Sequence, residues 1–159
     1  MLYTEQAIEF LRGDGKNASG YTLEDILLWD DDSWEMEHDF IQWLFPTDRE
    51  SSFNPDAPVL DGEALDEMRG SVEIRGNLLN AYERFLGFVG LTRGPEGLCG
   101  VDSKLEEPNH NWLRVGRVIR SLKLLGCEQS AVELFDFVSK LENVDSWTLD
   151  FWNDSIRLR

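Results

Sequence analysis

The sequence is poor in histidine, cysteine and proline, and above all in positive charge. Its 159 residues carry 15 Lys and Arg against 31 Asp and Glu, a formal net charge of -16. Self-repulsion on that scale argues against general binding to DNA, RNA or anionic lipid, where affinity comes from neutralising phosphates, and it favours a basic partner. No apolar run approaches the roughly 20 residues that a membrane-spanning helix needs, so no membrane partner is expected. The two cysteines, Cys99 and Cys127, lack Cys-x-x-Cys spacing, which excludes a zinc ribbon or thiol redox motif and suits a reducing compartment. Residues 1–12 place Glu5 and Glu9 where a secretory signal needs basic and apolar stretches, and the expected location is cytoplasmic. A glycine-rich phosphate loop, a Gly-x-Ser-x-Gly elbow and a His-Glu-x-x-His pair are also missing. No catalytic residue, metal ligand or cofactor is assigned, and an enzyme is the less favoured class.

What the sequence does contain is helical rhythm. A chain of this length fits a single domain, residues 1–159, able to bury roughly two thirds of its unfolded surface. Apolar residues recur at 3.6-residue spacing in eight segments, and the expected fold is all-α, one compact domain of about seven or eight helices. Thr22, Ser33, Asp61 and Ser146 stand where N-caps belong, and Gly13, Gly90 and Gly126 where helices stop. Trp34, Ile41 and Leu44 predict one helix from Ser33 to Phe45, closed by Pro46. Gly76 and Gly87 inside the longest helix suggest close packing there. Residues 47–60 and 92–108, rich in proline, glycine and small polar residues, are predicted as loops, and period-two alternation never persists long enough for a strand. Trp43, Trp112 and Trp147 lie on inward stripes, whereas Trp29 and Trp34, beside Asp30, Asp31 and Asp32, are interface candidates.

Three blocks carry more specific information. Residues 38–46 read His-Asp-Phe-Ile-Gln-Trp-Leu-Phe-Pro; residues 77–90 read Asn-Leu-Leu-Asn-Ala-Tyr-Glu-Arg-Phe-Leu-Gly-Phe-Val-Gly; and from His110 to Leu122 the pattern is His-Asn-x-Leu-Arg-x-x-Arg-x-x-x-Ser-Leu. Together they resemble the conserved domain of the opioid growth factor receptor family, in a short, microbial type of member. The resemblance implies an all-helical domain and, for the animal members, binding of an enkephalin-type peptide at the nucleus. Residues 47–53 depart from the family's pattern, keeping only part of it in Asp48-Arg49-Glu50, and the chain has no basic nuclear-targeting cluster, so opioid recognition is not carried over.

The candidate binding residues follow from these blocks. His38, Gln42 and Trp43 with His110, Asn111, Arg114 and Arg117 would line a groove between the 38–46 helix and the 110–125 helix, where a peptide or protein ligand is expected. Arg114, Arg117, Arg120 and Lys123 recur every three residues without an intervening acid, a row suited to a carboxylate or phosphate, or to pairing with acids of this same chain. Between Asn17 and Thr47 there is no lysine or arginine, and eight carboxylates stand there, among them Asp30, Asp31, Asp32, Glu35 and Asp39. That acidic patch would face a basic partner, and an acidic inhibitor that imitates nucleic acid is the alternative function. Glu35-x-x-His38 and Glu107-x-x-His110 repeat a spacing used by di-metal helical bundles, which makes a metal-dependent enzyme the second alternative.

Overall fold

In the computed structural model, residues 3–100 and 102–159 are described. They form a mostly helical protein of nine helices and one short hairpin: α1 (Thr4–Arg12), α2 (Leu23–Leu27), α3 (Asp31–Met36), α4 (Ile41–Leu44), α5 (Gly62–Arg69), α6 (Val72–Val89), β1 (Leu91–Gly94), β2 (Gly97–Gly100), α7 (Asn111–Leu124), α8 (Glu128–Val138) and α9 (Ser146–Arg157). The chain divides into two compact units, Met1–Ala81 and Tyr82–Arg159.

In the first unit, local chemistry sets most helix ends. Gly13 takes a left-handed backbone (φ 89°) so that its amide closes on the last carbonyls of α1, and Asn77 donates its side-chain amide to Leu11 O at 2.7 Å. Thr22 and Asp25 form a reciprocal capping box at α2, and Asp61 accepts from the Ala64 amide at α5. The single helix expected from Ser33 to Phe45 is instead two. Asp30, not Ser33, caps α3 by accepting from the Ser33 amide at 2.9 Å, and Glu37 is already extended (ψ 142°).

Packing explains the break. Trp34 and Phe40 are both fully buried, with ring centroids 5.0 Å apart. On one continuous helix six residues would turn these side chains about 120° away from each other. The irregular residues 37–40 bring both into the core, and every residue from 40 to 47 is buried. A segment buried on all sides has no solvent face to offer, so α4 is one interior turn that stops before Pro46.

The connector 47–60, predicted as a loop, is anchored. Leu60 donates to Thr47 O at 2.9 Å, and Asn54, Ala57, Pro58 and Leu60 are buried.

The second unit corrects the loop expected at 92–108. Leu91, Thr92, Arg93 and Gly94 pair with Gly100, Cys99, Leu98 and Gly97 in an antiparallel hairpin, turned at Pro95 and Glu96 with Gly97 at φ 114°. Two strands of four residues that share three glycines show no alternation to read. Helix α7 packs against α8 and α9. Trp152 donates its indole N–H to Trp112 O at 2.9 Å while its ring meets that of Trp112 edge-on at 5.7 Å, and Trp112 in turn donates to Leu105 O at 3.1 Å. Gly116 lies directly under the ring of Phe151. Close packing therefore occurs at Gly116 rather than at Gly76 and Gly87, both of which face open space. Trp147, expected inside, is 62% exposed and stacks on Phe151, whereas Trp34, expected at an interface, is fully buried.

Candidate functional site

The two family-like segments that supply the candidate residues lie in different units. In the first, the segment 38–46 shows solvent only its leading end: His38 and Asp39 are exposed, while Gln42 and Trp43 are buried. Gln42 donates to His38 O at 3.2 Å and accepts from the Asn54 side-chain amide at 3.2 Å, and the same amide nitrogen of Asn54 reaches Asp39 O at 3.3 Å. This triangle fastens the anchored connector to the motif, which satisfies amides that would otherwise be costly to bury. Trp43 fills the space under α1, with the rings of Tyr3 and Phe10 edge-on at 5.6 and 5.8 Å. Both residues thus build the platform from which His38 and Asp39 project.

The acidic tract leads up to that platform in the chain. Asp25 and Asp30 cap helices, and Asp39 accepts from the Ser19 hydroxyl at 2.8 Å. Hydrogen bonds from Thr22 hold the Asp25 carboxyl below its ordinary value. Asp30, Asp31 and Asp32 are exposed and Glu35 is half-buried. The aromatic rings beneath form a continuous series: Tyr21 meets Trp29 at 5.0 Å, Trp29 meets Phe40 at 5.4 Å, and Phe40 meets Trp34.

In the second unit, His110 is exposed at the N-cap of α7, and Asn111, Arg114 and Arg120 are buried. The Arg114 guanidinium lies over the Phe88 ring at 5.7 Å and donates to Asn111 Oδ1 at 3.4 Å. Arg120 donates to Arg159 O at 3.0 Å, and Lys123 pairs with Glu128 at 2.9 Å. Arg117 is half-buried, and the loss of solvent pushes its guanidinium down to about 10. The row of cations therefore contributes to the packing of its own unit, with His110 and part of Arg117 left at the surface.

Neither Glu-x-x-His pair lies along a helix. His38 follows the end of α3, and Glu107 and His110 precede the first residue of α7. Among the described residues no group of three or more His, Cys, Asp and Glu side chains is placed to hold a metal ion. No helix among them is long and apolar enough to cross a membrane.

One polar cluster has no local signal in the sequence. Arg93, on β1, makes a two-bond fork with Glu83 (3.0 and 2.6 Å) and two more bonds with Glu133 (2.8 and 2.9 Å), and Tyr82 donates its hydroxyl to Glu133 at 2.8 Å. These residues are up to 51 positions apart, so only the folded chain joins them. The hydrogen bonds from Arg93 are the main cause that holds Glu133 below the ordinary carboxyl value. A carboxyl depressed in the folded state contributes stability above its unfolded value of about 4.3, and that contribution is lost as pH falls through the lower folded value. We expect Glu133→Gln to remove about 1 kcal/mol at pH 6 and little at pH 3, since Arg93 and its partners are partly exposed. Urea unfolding at the two pH values measures it, and equal losses at both would show that the charge of Glu133 is irrelevant.

Comparison with known proteins agrees with the resemblance drawn from the three blocks. The family model described as the opioid growth factor receptor (OGFr) conserved region matches residues 14–159. Opioid growth factor receptor of Mus musculus is 34% identical over 160 residues, covering 89% of this chain and 25% of the mouse protein. The Homo sapiens receptor is 33% identical with 89% and 24% covered, and opioid growth factor receptor-like protein 1 of Mus musculus is 30% identical with 88% and 34% covered. The chain thus spans a quarter to a third of the length of these relatives. No solved structure matches it significantly. With a fitting fold and 146 consecutive residues matched to the family model, the chain belongs to the opioid growth factor receptor conserved-region family.

Proposed function

We propose that this chain is a non-enzymatic helical module that binds a protein or peptide. The observation that carries this reading is membership, over residues 14–159, in a family whose relatives include proteins named as receptors. Each unit offers its own candidate positions: His38 and Asp39 at the exposed end of residues 38–46 in the first, and His110 with the accessible part of Arg117 in the second. Gln42, Trp43, Asn111 and Arg114 support these positions from below. Immobilised protein exposed to source-cell lysate should retain a specific partner, and the triple variant His38→Ala, His110→Ala, Arg117→Ala should lose most of it while staying folded by far-UV circular dichroism. Full retention by the folded variant would remove these residues from the site.

The eight carboxylates within residues 24–39 favour a second reading, an acidic mimic of nucleic acid directed at a basic nucleic-acid-binding protein. Capture of that kind should fall steeply between low and high salt. A retained partner insensitive to salt would count against it.

A further inference from the structure

We propose that the α2–α3 surface of the first unit docks a basic amphipathic segment of a partner protein, whose apolar side chains seat on Leu28 and Met36 while its lysines and arginines meet the surrounding carboxylates. This deepens the binding-module reading and rests on it. Leu28 is 78% exposed at the C-cap of α2, and Met36 is 72% exposed as the last residue of α3. The two short helices are held together by the buried Trp34, whose indole N–H donates to Ile26 O at 2.9 Å. Tyr21, 43% exposed, is the outermost ring of the series that runs through Trp29 and Phe40 to Trp34. Both exposed apolar side chains therefore stand at the ends of helices tied together through buried Trp34, which lowers the ordering cost of binding.

Charge selects the occupant. Residues 17–47 contain no lysine or arginine, so a partner bearing cations gains attraction across the whole tract, and one bearing acids is repelled. A purely polar basic groove, the target of a nucleic-acid mimic, would leave Leu28 and Met36 without a counterpart. A purely apolar ligand would desolvate those carboxylates with no cation of its own to offer them. A cationic helix with apolar residues at i, i+3, i+4 and i+7 meets both demands.

The test uses the full chain, labelled with 15N and titrated with a synthetic 18-residue peptide of leucine and lysine in that helical spacing. Controls replace every leucine with glutamine, or every lysine with glutamate. We expect amide shifts concentrated in residues 21–39, at least tenfold weaker binding of the glutamine peptide, and none of the glutamate peptide. Leu28→Ser with Met36→Ser, both at exposed positions, should weaken binding at least tenfold with the melting temperature unchanged. Equal binding of the glutamine peptide, shifts centred elsewhere, or full affinity in the double variant would each overturn the proposal. The two readings can fail separately: a lysate partner lost with the His38, His110 and Arg117 variant but kept by the Leu28 and Met36 variant leaves the module intact and removes this surface.

Discussion

Trp43→Ala should cost the first unit about 3–5 kcal/mol, the range for removing a large buried aromatic, out of a total stability on the order of 5–15 kcal/mol. Trp43 is 1% exposed and touches two other rings edge-on, so truncation leaves a cavity beneath α1 and removes two oriented aromatic contacts. Trp43→Phe retains part of the volume and should lose about half as much. Urea unfolding followed by far-UV circular dichroism would show a lowered midpoint, and loss of ligand capture should track the unfolded fraction. If Trp43→Ala kept wild-type stability while abolishing capture, the residue would instead be a direct ligand contact. The outcome bears on how the signature at 38–46 is understood. Its apolar residues and Gln42 are all buried, so the most recognisable stretch of the chain is recognisable for packing, and the surface available to a ligand is what it holds up.

The same distinction separates what the sequence made legible from what it hid. Helix ends governed by one or two neighbouring residues were readable in part: the Thr22 and Asp61 caps and the stops at Gly13, Gly90 and Gly126, all three with positive φ, stand as expected, while Asp30 and Asp145 hold the caps expected of Ser33 and Ser146. Features set by residues far apart were not. The break between α3 and α4 depends on Trp34 and Phe40 sharing one core, and periodicity within a single segment cannot express that demand. The hairpin 91–100 is too short and too rich in glycine to show alternation, although Gly94-Pro95-Glu96-Gly97 is a turn sequence that could have announced it. The clamp of Arg93 on Glu83 and Glu133 joins three exposed-looking charges of different elements. For the candidate residues, chemical type was legible and burial was not. Gln42, Asn111 and Arg114 carry the groups a binding site would use, yet their polar atoms serve neighbouring backbone and side chains. The exposed Leu28 and Met36 looked like ordinary helix residues.

Glycine gives the sharpest case, because two glycines with the same local context should respond to alanine with opposite signs. In a helix interior alanine is favoured over glycine by up to about 1 kcal/mol, and at Gly76, where an added methyl group meets nothing, Gly76→Ala should raise stability by about 0.5–1 kcal/mol. At Gly116 the added methyl would fall inside contact distance of three atoms of the Phe151 ring. That ring is stacked on Trp147 at 5.6 Å, so its retreat would disturb a second side chain. Overpacking of this kind costs about 1–3 kcal/mol, enough to outweigh the helical gain, and Gly116→Ala should destabilise the second unit by loosening α9 from α7. Phe151→Leu makes room. The double variant should therefore be little worse than Phe151→Leu alone, with a coupling of about 1–2 kcal/mol in a double-mutant cycle. Additive losses would mean that the backbone of α7, rather than the Phe151 ring, absorbs the strain. A stabilising Gly116→Ala would show that α9 shifts freely and that the α7–α9 contact is not what requires glycine at that position.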